Sequence, residues 1–470
     1  MAASRVVALL VSVCSCWLAA GSGLSRAQAA DPPAAPPPLE MPYTQFTLPN
    51  GLHVILHEDH SVPIVSVNVW YHVGSGSEKP GRTGFAHLFE HLMFEGSKHV
   101  PEGAFDKWLE AAGASNNGST DPDRTNYFID GPRNVLELAL FLDSDRMGYL
   151  LDTMSPARVD GQRDVVKNER REGVENRPYG IALVTLPELL FPPDHPYHWP
   201  TIGYMADLSA ASYDDVVEFF RKYYAPNNAS LVVAGDIDAA AARALVEKWF
   251  GEVKRGEPVP PVAPPAAMLT GVTRKTLTDR VQLPALTLAW ITPRQFAPGD
   301  AELDVTAQIL AGGKNSRLYR RLVYDMQIAQ DVSATQQSGA LASTFSIDVI
   351  VRPQTGMTAA AVVDRVQAIV DEELDRLRAE PPSARELERA RNQMEAAFYA
   401  SLERVGGFGG RANRLNAYYV ATGNPDYLNE DLARYRAIGP RDIQAIVSRY
   451  LPRDARVELI VEPAGEKERQ

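Results

Sequence analysis

Two homologous α+β domains, each a mixed β-sheet packed against long helices, are what this 470-residue sequence predicts. Three observations lead there. SVPIVSVNVW (Ser61 to Trp70) reads as a β-branched, alternating strand opened by a proline, and VQLPALTLAW (Val281 to Trp290) repeats its character, with Pro284 following Pro63 by 221 positions. A helix, a Tyr, a Pro and a strand follow one another in DDVVEFFRKYYAPNNASLVVAGD and again in RDIQAIVSRYLPRDARVELIVEP, where Tyr450 trails Tyr223 by 227 positions. The near-equal offsets indicate a duplicated unit. Between these strands, PRNVLELALFLDSDRMGYLL and AAAVVDRVQAIVDEELDRLRAE place apolar residues at helical spacing.

The elements in chain order begin with MAASRVVALLVSVCSCWLAAGSGLSRAQAA, which has a basic start at Arg5, an apolar run from Val6 to Ala20 and a small-x-small Ala27-Gln28-Ala29. Residues 1–29 are expected to be a cleaved export signal, placing the protein outside the cytoplasm and most simply in a periplasm. An uncleaved anchor and a lipoprotein with Cys16 lipidated are the alternatives. Both cysteines, Cys14 and Cys16, fall in this segment, so the mature chain would hold neither disulfide nor cysteine–metal site. Residues 30–40 are a Pro-rich tether. Residues 41–255 form the expected first domain, 256–268 (GEPVPPVAPPAAM) a Pro-rich linker, and 269–470 the second domain. No later run is apolar enough to span a bilayer, and a net charge of -12 argues against nucleic-acid or anionic-lipid partners.

The chemistry concentrates in GRTGFAHLFEHLMFEGS. Phe85, Leu88, Phe89, Leu92 and Met93 suit a largely buried helix, on which His87 and His91 project from one face a turn apart with Glu90 beside them. Zinc hydrolysis needs two neutral imidazoles, a third protein ligand, an open position for water and a carboxylate to take that water's proton. The spacing supplies all but the third ligand. A hydrogen-bonded His pair in a core is the plainer alternative. His53 and His57 lie on a strand pattern and His195 and His198 in a Pro-rich loop, so both pairs are assigned to structure. All nine histidines occur by position 198, which confines any such site to the first half. The third ligand should be acidic and come from DVVKNERREGVENRPYG, where spacing leaves Glu169, Glu172 and Glu175 open.

The reversed H-x-x-E-H order is the inverzincin signature, and its surroundings resemble the pitrilysin (M16) family of zinc peptidases, in the branch of mitochondrial processing peptidase and its bacterial relatives. The resemblance runs over nearly the whole mature chain, through LPNGLHVILHED, the HLFEHLMF helix, ASNNGSTDPDRTNYF, VVKNERR, HPYHWPTIG and GGKNSRLYRRL. It implies one Zn2+ per chain held by His87, His91 and Glu169, with Glu90 as general base. It also implies Asn117 beside the scissile bond on an edge strand that pairs with an extended peptide. Two departures stand out. The family pattern L-R-E-E-R-G-L-A-Y reads L-V-Y-D-M-Q-I-A-Q here, leaving Val323 and Gln330 where active members use an Arg and a Tyr. Gln162 replaces an accessory Glu one heptad before Glu169.

The expectation is therefore a zinc endopeptidase acting on extended or unfolded peptides, as the catalytic subunit of a two-chain complex. A second M16-like chain, in a heterodimer or else a homodimer, would be its partner. A non-catalytic scaffold subunit of the same fold is the alternative, with a metal carrier or sensor behind it. RVGGFGGRANRL (Arg404 to Leu415) matches no phosphate loop and is expected to be a hinge or a substrate-contacting loop.

Overall fold

In the first half the chain lays down β1 (Thr44–Thr47), β2 (His53–Glu58), β3 (Ile64–Tyr71), β4 (Ser115–Thr120), β5 (Thr125–Pro132) and β6 (Ala229–Gly235). In the second it lays down β7 (Thr273–Asp279), β8 (Ala285–Thr292), β9 (Ala329–Gln337), β10 (Ser343–Val351) and β11 (Val457–Pro463). The computed structural model describes residues 38–465, so the expected export signal and most of the Pro-rich tether lie outside the described residues. Residues 254–272, which contain the second Pro-rich stretch, form neither helix nor strand.

The sheet orders are β1-β2-β6-β3-β5-β4 and β7-β11-β8-β10-β9. Without β1 they are the same order. In each, the first pair is parallel (β2 with β6, β7 with β11) and the remaining pairs are antiparallel. The duplication that the recurring strands indicated is thus a duplication of topology.

Strand β3 is polar on alternate positions yet buried almost throughout. One face, with Val65, Val67, Val69 and Tyr71, joins the helical core of the first half. The other face, with Ser66, Asn68 and Trp70, is covered by the second half's helix Arg411–Thr422. Asn416 donates through Nδ2 to Asn68 Oδ1 at 2.9 Å and accepts from the Ser230 hydroxyl at 2.7 Å. Trp70 Nε1 donates to Asn413 Oδ1 at 2.9 Å. Buried polar groups must be paired to be tolerated, so a polar sheet face selects a polar covering helix. The exchange is reciprocal: Leu190, Phe191 and Tyr197 of the first half pack with Ala289, Val457 and Leu459 of the second sheet. RVGGFGGRANRL forms this joint rather than a free loop, with Phe408 edge-on to Phe128 at 5.0 Å.

The helix Leu136–Tyr149 carries an ion pair inside the first core, Arg146 with Asp143, whose side chains are 3% and 1% exposed. The Arg146 guanidinium also lies 4.2 Å from the centre of the Tyr127 ring and 4.9 Å from that of Phe105. Removing one member of a buried pair strands the other charge. Arg146→Ala is expected to destabilise the full chain by about 3–5 kcal/mol, read from the denaturant midpoint, whereas an apolar replacement of both residues should recover most of the loss. Among the described residues no helix is long and apolar enough to cross a membrane.

Candidate metal centre

His87, Glu90 and His91 lie on the helix Phe85–Leu92, whose Phe85, Leu88, Phe89 and Leu92 are buried. Its start is built around a carboxylate: Glu78, itself 7% exposed, accepts the amides of Gly84 at 2.9 Å and Ala86 at 2.8 Å. Orphan amides and the positive end of the helix dipole both favour an acceptor there, although burial pushes the Glu78 carboxyl up to about 8. With the apolar face so anchored, the two imidazoles are left on the flank, ring centres 4.9 Å apart and nearly perpendicular.

The third group arrives from the helix Pro156–Arg170. Glu169 Oε2 lies 3.1 Å from His91 Nε2 and 3.7 Å from His87 Nε2. Immediately after it the helix widens into a π turn, Arg171–Glu175. Arg170 is held by Glu175 at 3.1 Å and by the carbonyl of Gly203, which fixes the end of the helix where Glu169 sits. Of the three glutamates, Glu169 is the one brought to the histidines; Glu175 turns to Arg170 and Glu172 is exposed.

Among the described residues, His87, His91 and Glu169 are the one group of His, Cys, Asp or Glu whose donor atoms gather to within 4.8 Å, close enough to share an ion. Two imidazoles and one carboxylate, with Glu169 half exposed on the solvent side, make a three-donor set with an open fourth direction. Burial lowers His87 to about 4, so its ring is neutral at pH 7, as a metal ligand requires. A hydrogen bond from His91 holds the Glu169 carboxyl below its ordinary range.

Glu90 faces the edge of the first sheet. The Thr120 hydroxyl donates to its Oε2 at 2.6 Å, and Gly118 lets β4 lie against it: a Cβ there would come 3.0 Å from Glu90 Cγ and 3.2 Å from the Tyr127 ring. Burial pushes the Glu90 carboxyl above its ordinary value while Thr120 pulls it down. Asn117 is on the same edge strand, which pairs with β5 alone. Its Oδ1 accepts the amide of Gly118 at 2.8 Å, and strand alternation puts it on the face opposite Gly118 and Thr120. Thr120 carries no motif of its own in the sequence, although strand parity counted from Gly118 leads to it.

The histidines assigned to structure stay apart from this group. His57 bonds the carbonyl of Pro42 at 2.8 Å, His53 stacks on Tyr419, and His198 bonds the carbonyl of Phe191 at 2.7 Å. His195 accepts the amide of Tyr197 at 3.0 Å. Gln162 donates to Glu95 at 2.5 Å. In the second half, Val323 lies in a π turn (Tyr319–Asp325) against the core and Gln330 is an exposed residue of β9. Gln327 between them has φ 55°, the left-handed backbone that glycine prefers. It stands at the Gly of L-R-E-E-R-G-L-A-Y, which supports the register that puts Val323 and Gln330 at the Arg and Tyr positions.

A cleft of about 710 Å³ opens beside Glu169, between the helix Gly180–Leu190 and the second sheet, lined among others by Tyr179, Leu183, Thr287 and Leu459.

Comparison with known proteins places this arrangement. The family profile described as Insulinase (Peptidase family M16) matches residues 53–187, and that described as Peptidase M16 inactive domain matches residues 210–394. An uncharacterized zinc protease of Mycobacterium tuberculosis is 30% identical over 328 residues, 68% of this chain and 72% of that protein. The chain belongs to peptidase family M16. Among other relatives, the zinc protease PqqE of Helicobacter pylori is 29% identical over 368 residues, 77% of this chain and 80% of that protein. The crystal structure of a protease from Helicobacter pylori has a TM-score of 0.82 and 26% identity, and the match covers 90% of this chain and all of that one. His87, His91 and Glu169 fall within the segment matching the peptidase profile, and the segment matching the inactive-domain profile contains Val323 and Gln330.

Proposed function

We propose that the protein is a zinc-dependent endopeptidase for extended or unfolded peptides, exported by its first 29 residues, and the catalytic member of a two-chain complex. The observation that carries this reading is the convergence of His87, His91 and Glu169 from two helices beside Glu90 and an open sheet edge. His87 Nε2, His91 Nε2 and one Glu169 oxygen would hold one zinc ion per chain. When bound, zinc supplies Lewis acidity that polarises a carbonyl and lowers the pKa of water.

The remaining steps belong to the chain. The outer edge of β4, with Asn117, pairs with the backbone of the substrate and lays the scissile bond along the sheet. Thr120 holds Glu90 Oε2, which orients the carboxylate; Glu90 takes a proton from the attacking water and passes it to the departing amine nitrogen. The raised affinity of Glu90 for a proton suits both halves of that task.

Val323 offers no donor and Gln330 only a neutral amide where the family pattern has a cationic Arg and a Tyr, so a second, similar-sized chain is assigned to supply that pair. Loss of one such donor costs about 10²–10³ in kcat. The pure chain should therefore cut an unstructured peptide at least about 100-fold more slowly than the complex recovered with it from the source organism. Robust turnover by the pure chain would remove the partner from the mechanism. The same two residues favour a second reading, a non-catalytic subunit. A recovered complex without zinc and without peptide turnover would establish it.

A further inference from the structure

The second half carries no candidate metal group among the described residues, yet it touches the turn that follows the strand bordering Glu90. The turn between β4 and β5 is built on Asp121, whose Oδ1 accepts the amides of Asp123 at 2.8 Å and Arg124 at 2.9 Å. From within the first half, Ser75 and Gly76 donate to the carbonyls of Asp121 and Pro122 at 3.1 and 2.8 Å. From the second half, the turn between β9 and β10 closes over it. Ala340 donates its amide to Asp123 Oδ2 at 2.9 Å, Leu341 donates to the Tyr197 hydroxyl oxygen at 3.0 Å, and that hydroxyl donates to Asp123 Oδ1. Tyr197 is 8% exposed and braced edge-on by Phe191 at 5.6 Å. Three residues back from Asp123, Thr120 donates to Glu90.

We propose that Asp123 and Tyr197 are positioning residues that couple docking of the second half to the placement of Thr120 and, through it, of Glu90. The inference rests on Glu90 being the general base. An edge strand is hydrogen-bonded to a neighbour on one side only, and the turn is where β4 is tied down at the end nearest Thr120. A displacement of about 1 Å at a catalytic group can cost about 100-fold in rate. The clasp also gives a metal-free half a part in the chemistry of the other half.

The test is kinetic, on the zinc-loaded complex recovered with the tagged chain and an unstructured fluorogenic peptide. Tyr197→Phe should lower kcat about tenfold, a fraction of the full general-base effect, with KM and zinc stoichiometry unchanged. Thr120→Val should do the same. The double variant should be no slower than Thr120→Val alone, because both changes break one chain of contacts. A contact that only joins the halves would lower Tm and leave kcat per zinc-loaded molecule intact, and that result overturns the proposal. Multiplicative losses in the double variant overturn it too. If Tyr197→Phe does not fold, the isosteric Asp123→Asn is read by the same kcat ratio and the same cycle. Glu90→Gln assayed alongside separates the two levels: if it still cleaves, the general-base reading fails, whereas a dead Glu90→Gln beside a fully active Tyr197→Phe sinks the clasp alone.

Discussion

Glu90→Gln is expected to lose peptide cleavage by a factor of at least about 10²–10⁴ while one zinc remains per chain. The substitution keeps size and shape, so the helix Phe85–Leu92 and its buried face are undisturbed. The Gln carbonyl can still accept the Thr120 hydroxyl, which now reaches Glu90 Oε2 at 2.6 Å. What is lost is the site that takes the proton from water. His87, His91 and Glu169 are untouched, so metal content separates this outcome from simple unfolding. Peptide turnover with metal analysis on the same sample is the measurement, and hydrolysis at the unmodified rate would refute the assignment of Glu90 as base.

His91→Ala should fail at the other step. Its Nε2 is 3.1 Å from Glu169 Oε2, and the imidazole supplies one of three donors. Disturbing the outer partners of a metal ligand already costs about 10–100-fold in affinity, so removal of a ligand should weaken zinc binding by more than about 100-fold. Competition with a chromophoric chelator reads this directly, and Glu169→Gln is expected to follow the same course. Glu172→Gln should keep its zinc, because Glu172 is exposed and absent from the group. A His91→Ala chain that still holds one zinc would show that the three donors are not the binding site.

Several features were legible because they are local. Residues four apart on a helix share a face whatever surrounds them, so HLFEH places His87 and His91 together from spacing alone, and the structure has them 4.9 Å apart between ring centres. The strands Ile64–Tyr71 and Ala285–Thr292 and the helices before β6 and β11 were legible for the same reason, and with them the duplication. Other features needed contacts between distant segments. Alternation marks β3 as a strand with one polar face, and only the helix Arg411–Thr422, more than three hundred residues away in sequence, makes that face an interior.

Local pattern in the sequence was enough for the two-sheet, helix-covered architecture and for the helix that carries two histidines and a glutamate, and the family resemblance added Val323 and Gln330 at the positions of its Arg and Tyr. Spacing left three glutamates equivalent. Only the tertiary structure separated them: the π turn after Arg170, and the tether of Arg170 to Gly203 and Glu175, decide which carboxylate reaches the histidines. The same holds for Thr120 against Glu90 and for Asp123 and Tyr197 beneath the second half's turn. The physical reason is range. Periodicity encodes which face of an element is buried, whereas the approach of two elements depends on packing and hydrogen bonds that no short window of sequence contains.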